Sequence, residues 1–90
     1  MKKLKIGAEL QTREDVNNLI LHLIKGAEKE FSASLIKNLT RNYTMGSPLR
    51  LTDDRIDQMV DNILSDLMLK NKLVCDYGMF VIVKNLNNSL

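Results

Sequence analysis

Between Leu51 and Lys84 the interval between apolar positions changes once. Ile56, Met59, Val60, Ile63, Leu64, Leu67 and Met68 recur at steps of three, four and one, which puts them on one stripe of a helix. Thr52 is suited to cap that helix, because its hydroxyl can accept from a first-turn amide. Asp53 and Asp54 then place negative charge at the positive end of the helix dipole. The opposite face carries Asp54, Gln58, Asp61, Asn62 and Ser65, and Lys70-Asn71-Lys72 marks the C-terminal end. Beyond it, Leu73 to Cys75 and Met79 to Val83 are short apolar runs around Asp76-Tyr77-Gly78. Gly78 can take the positive φ of a tight turn, so Tyr77-Gly78 predicts a hairpin that pairs Cys75 with Phe80 and Leu73 with Ile82. Both hairpin faces are apolar, which implies one covered face and one partly covered face.

The upstream half repeats the helical period twice. Thr12-Arg13-Glu14-Asp15 has the form of a capping box. The helix it opens runs to about Lys25, with Val16, Leu19, Ile20, Leu23 and Ile24 inward and Gly26 as its stop. His22 falls off that stripe and reads as a surface side chain. After a charged turn over residues 27–30, Phe31 precedes a second cap, Ser32, and can staple onto Ile36. A second helix spans Ala33 to Tyr43, with Leu35, Ile36, Leu39 and Tyr43 inward. Ser34, Lys37, Asn38 and Arg41 lie outward, and the two cations share a face four residues apart. Thr44-Met45-Gly46-Ser47-Pro48 breaks the pattern, and Leu49-Arg50-Leu51 is expected to be extended. Residues 1–11 alternate Lys2, Lys3 and Lys5 with Leu4 and Ile6. They read as a basic arm or short strand, most simply a frayed terminus. Residues 85–90 form a polar tail, leaving one domain over residues 12–84.

Composition narrows the chemistry. At 90 residues, 44% hydrophobic and 27% charged, the chain has enough apolar content for one folded domain. Its core must be Leu, Ile, Val and Met, since there are no Trp, two Phe and two Tyr. No apolar run is long enough to span a bilayer, and no apolar stretch follows the initial lysines as in a signal peptide. A cytoplasmic protein without a membrane partner is expected, and the Lys, Asn and Ile content fits an AT-rich bacterial or phage genome. One Cys and one His, far apart, offer neither a disulfide nor a transition-metal site. Cys75 reads as a buried thiol among apolar strand residues, and the neighbouring Asp76 has the wrong sign to activate it. Carboxylates are plentiful, but no nucleophile–base pair or phosphate loop accompanies them, so no catalytic, cofactor or metal residues are assigned and an enzyme is not expected. Net charge is +2, unevenly spread: residues 1–51 carry nine bases and five acids, and residues 52–71 carry two and five.

The order helix, helix, turn, long helix, hairpin resembles the winged-helix variant of helix-turn-helix. LILHLIKGAEKEFSASLIKNL resembles its first two helices with the small strand between them. RIDQMVDNILSDLMLKNKLV resembles the third helix, and VCDYGMFVIV the wing. The resemblance implies a mainly α domain with a small β-hairpin, of α+β class. It also implies a third helix that enters the major groove of duplex DNA. Three features depart from that pattern: Asp54, Asp57 and Asp61 on the third helix, a short wing without Lys or Arg at its tip, and a long connection between the second and third helices.

Two functions follow as expectations. One is a DNA-binding or transcription-associated regulator, with Lys37, Arg41 and Arg50 on phosphates, Lys2, Lys3 and Lys5 nearby in sequence, and Gln58 and Asn62 reading base edges. The alternative is a protein-interaction or dimerisation module, in which the acidic third helix meets a basic partner or the apolar hairpin joins a second copy.

Overall fold

The computed structural model describes residues 5–27 and 29–83. Lys2, Lys3 and Leu4 of the N-terminal arm, Lys84 and the 85–90 tail lie outside the described residues. In chain order the elements are α1 (Arg13–Lys25), β1 (Phe31–Ser32), α2 (Ala33–Tyr43), α3 (Asp53–Leu69), β2 (Leu73–Asp76) and β3 (Met79–Ile82). A 3₁₀ turn over Gly7–Glu9 precedes them.

Each helix starts where local hydrogen bonding dictates. The Thr12 hydroxyl accepts from the Asp15 amide while the Asp15 carboxylate accepts from the Thr12 amide, closing the capping box of α1. Ser32 accepts from the Leu35 amide and Thr52 from the Arg55 amide, capping α2 and α3. The end of α3 is a Schellman motif. Asn71 sits at φ 59°, its amide donates to the Met68 carbonyl, and the Lys72 amide reaches back to Leu67 at 2.8 Å. Gly26 ends α1 as expected, but in right-handed backbone at φ −76°.

The sheet has three antiparallel strands in the order β1-β3-β2. Cys75 lies opposite Phe80 and Leu73 opposite Ile82, as the turn at Tyr77-Gly78 requires. β1 pairs Phe31 with Phe80, so the strand that leads into α2 is bound to the hairpin that follows α3. Three helices and this small sheet make an α+β domain, in an arrangement compatible with a winged helix.

One core holds the elements together. Val16, Leu19, Ile20 and Ile24 of α1 meet Phe31, Ile36 of α2, Met59, Val60, Leu64 and Leu67 of α3, and Leu73 of β2. Leu23, Ile63, Phe80 and Ile82 pack against it, partly buried.

Several sequence expectations change at this point. Leu35 and Tyr43 do not point inward; both are exposed, and Thr40 is the buried residue beside Ile36. Leu35 lies about 100° round the helix from Ile36, outside the sector that the other helices cover. Thr40 can be buried because its hydroxyl donates to the Ile36 carbonyl at 2.7 Å. Met68 is likewise exposed at the end of the α3 stripe. Cys75 is exposed, not buried: it lies next to the turn on an edge strand that has β3 on one side only. Arg50 is not extended but left-handed, at φ 51°. Residues 5–10 are docked and not frayed. Leu10 is fully buried, its carbonyl accepts from the Ser47 hydroxyl at 2.5 Å, and Lys5 pairs with Asp15 at 3.2 Å. The Leu10 bond ties the segment to the α2–α3 loop.

Candidate functional site

The seam between α2 and α3 is a ladder of charge. Lys37 and Arg41 are one turn apart on α2, and Asp57 and Asp61 are one turn apart on α3. Lys37 Nζ lies 3.1 Å from Asp61 Oδ1, and Arg41 Nη2 donates to Asp57 Oδ2. Arg41 Nε also comes within 4.0 Å of Asp53 Oδ1. Arg41 Nε and Asp57 Oδ1 are shielded from solvent without a hydrogen-bond partner, so the arginine holds one carboxylate through a single strong contact. Two of the three predicted phosphate contacts, Lys37 and Arg41, are thus paired within the protein, against three aspartates.

Gln58 and Asn62 lie on the other flank of α3. They line an open groove of about 490 Å³ between α1 and α3, together with Arg13, Asn17 and Arg55. Leu21, Met59, Ile63 and Leu67 supply its apolar lining, and Asp66, held by Lys70 at 2.9 Å, lines it further along α3. Arg13 and Arg55 are both in the first turns of their helices. The Ser47–Leu10 bond joins the lead-in of α3 to the lead-in of α1, while β1 and the hairpin gather the far ends. The two arginines therefore share one end of the groove. Among the described residues neither forms an ion pair, whereas Lys5, Lys37, Arg41 and Lys70 each do.

The five residues predicted to contact nucleic acid thus fall in three places. Lys37 and Arg41 are in the seam, Gln58 and Asn62 are in the groove, and Arg50 is exposed in the loop before α3. Sequence reading missed Arg13, Asn17 and Arg55. For the α1 pair the signal was the spacing Arg13–Asn17–Leu21, four residues apart beside the buried stripe, which shows a shared helix edge but not the neighbour it faces.

The hairpin offers a third surface. Val74 and Val81 are directly paired and exposed, at 53% and 43%. Tyr77 at the tip is 99% exposed and held at φ 50°. His22 is exposed on α1, as its position off the stripe implied. Among the described residues no group of three or more His, Cys, Asp or Glu could hold a metal ion. Nor is any helix there long and apolar enough to cross a membrane. Asp15 has a lowered pKa. The Gln11 amide is the main cause, with further support from the Lys5 ammonium and the Thr12 amide, against an opposing desolvation effect. Comparison with known protein families, curated proteins and solved structures finds no match to this chain.

Proposed function

We propose that this chain is a non-catalytic, winged-helix-type domain that works by protein contact and does not read duplex DNA through α3. One observation carries the reading: Lys37 and Arg41, the cations beside α3, are held by Asp61, Asp57 and Asp53. Duplex affinity comes largely from neutralising phosphates and releasing their counterions. Cations already engaged by carboxylates supply little of it, and Asp54, exposed on the same helix, adds repulsion. The same ion pairs lower the charge that α3 offers a basic partner, which shifts attention to the uncommitted surfaces.

A second reading, duplex binding by the opposite flank, is favoured by the grouping of Gln58 and Asn62 with Arg13 and Arg55. Titration of the intact protein with AT-rich random duplex at two salt concentrations separates the two. The protein-contact reading expects weak binding with a shallow salt slope. Tight binding that falls steeply with salt would overturn it, and the slope would flatten in Arg13→Ala/Arg55→Ala if the opposite flank is responsible and in Lys37→Ala/Arg41→Ala if the seam is.

A further inference from the structure

We propose that the α1–α3 groove is the docking site for an amphipathic helix of a partner protein, oriented by acidic side chains that meet Arg13 and Arg55. The proposal rests on the reading that the domain works by protein contact, and it names the surface and the chemistry of what binds there.

Shape selects a helix. The groove walls are side-chain ridges at four-residue spacing, Arg13–Asn17–Leu21 on α1 and Met59–Ile63 on α3. Two rods running in the same direction leave a trough into which the ridge of a third rod can pack. The trough is open to solvent, so a small molecule lying in it would keep one flank in water. An extended strand would need backbone partners, and the walls are helices whose amides and carbonyls are already bonded internally. A helix brings its own backbone bonds satisfied and need contribute only one face.

Chemistry selects its composition. Half-buried Leu21 and Ile63, with Met59 and Leu67 of the core beneath them, give the groove an apolar floor, which calls for aliphatic side chains at steps of three and four. Asn17, Gln58 and Asn62 offer amides that both donate and accept along the sides. Arg13 and Arg55 are planar forks with no carboxylate among the described residues, at one end of the trough. The first-turn acids nearby are turned to other work: Asp15 caps α1, Asp53 faces Arg41, and neither Glu14 nor Asp54 lines the groove. Uncommitted arginines beside an apolar floor match carboxylates on an otherwise apolar helix face. A duplex fits the same place poorly, because two cations neutralise few phosphates and the floor offers a polyanion nothing.

The test uses the intact protein and a displayed library of sixteen-residue helices with randomised side chains on one face. Selected helices should carry aliphatic residues at helical spacing and Asp or Glu confined to one terminal turn. Their binding should weaken at least tenfold in Arg13→Ala/Arg55→Ala and stay unchanged in Lys37→Ala/Arg41→Ala, with circular dichroism confirming that each variant is folded. The side-chain amides of Asn17, Gln58 and Asn62 should shift in NMR spectra on binding. Arg13→Glu/Arg55→Glu should move the selected preference to Lys or Arg at that terminal turn. A library that yields no binder overturns the proposal. So do binders indifferent to both arginines, or self-association abolished by Arg13→Ala/Arg55→Ala, which would put a second copy in the groove. Binders that map to the hairpin remove the groove but leave the protein-contact reading standing. Salt-steep duplex binding that depends on Arg13 and Arg55 removes both.

Discussion

Phe31 stacks on Phe80 with ring centroids 5.8 Å apart and 21° between the ring planes. The two residues are also register partners between β1 and β3. One is on the strand that opens α2, the other on the second arm of the hairpin, 49 positions later in the chain. Their contact is therefore a clasp between the two halves of the domain.

Phe31 is almost fully buried, so Phe31→Ala leaves a cavity and removes the ring stack. Such a truncation costs about 3–5 kcal/mol. Small domains hold only about 5–15 kcal/mol in total. The variant should be largely unfolded near body temperature, by thermal melting. Phe80→Ala should cost less, because Phe80 is only partly buried. Equal losses for the two would mean that the clasp, and not burial, sets the energy.

Arg41→Ala strands the Asp57 carboxylate, whose side chain is about one quarter exposed. The pair lies between the exposed and buried regimes, so a loss of about 1 kcal/mol is expected in urea unfolding. A double-mutant cycle with Asp57→Asn should return a coupling of similar size. Coupling near zero would show that this pair adds no stability.

Tyr77 occupies a left-handed position in the hairpin turn, with Gly78 at φ 78° after it. Left-handed backbone is costly for most L-residues and far easier for Asn. Because the Tyr77 ring is fully solvated, Tyr77→Asn removes no core contact. It should stabilise the domain by about 0.5–1 kcal/mol. Unchanged or lower stability would mean that the ring makes a contact worth more than the strain.

Acid stability should depend on Asp15. Its folded-state pKa lies below the ordinary value of 3.8, since the Gln11 amide, Lys5 and the Thr12 amide favour the carboxylate. The sign follows by linkage: its contribution is full above the unfolded pKa and is lost as pH falls through the folded one. Asp15→Asn should lower stability at neutral pH and flatten the decline below about pH 4. Thr12→Ala, which removes the other half of the capping box, should cost about 1 kcal/mol at every pH.

Much of the fold was legible along the chain because the deciding interactions are short in range. Caps at Thr12, Ser32 and Thr52 are bonds that span three residues, and the hairpin register follows from two turn residues. The stripes of α1 and α3 were read nearly in full, since one face of each is pressed into the core. α2 was read less well. Its apolar residues do not all face inward, and a satisfied hydroxyl at Thr40 occupies a place that a hydrophobicity pattern assigns to carbon.

The candidate surfaces were harder to read. The sequence by itself determined where each helix begins and ends, which residues share a face, and how the hairpin pairs, because backbone geometry over a few residues is enough to decide these. Only the tertiary structure decided that Lys37 and Arg41 face Asp61 and Asp57, that Arg13 and Arg55 share one end of a groove, and that Cys75 lies on an open edge. A periodic pattern gives a side chain its angle about its own helix axis, but the partner it meets depends on how separate elements are placed in space.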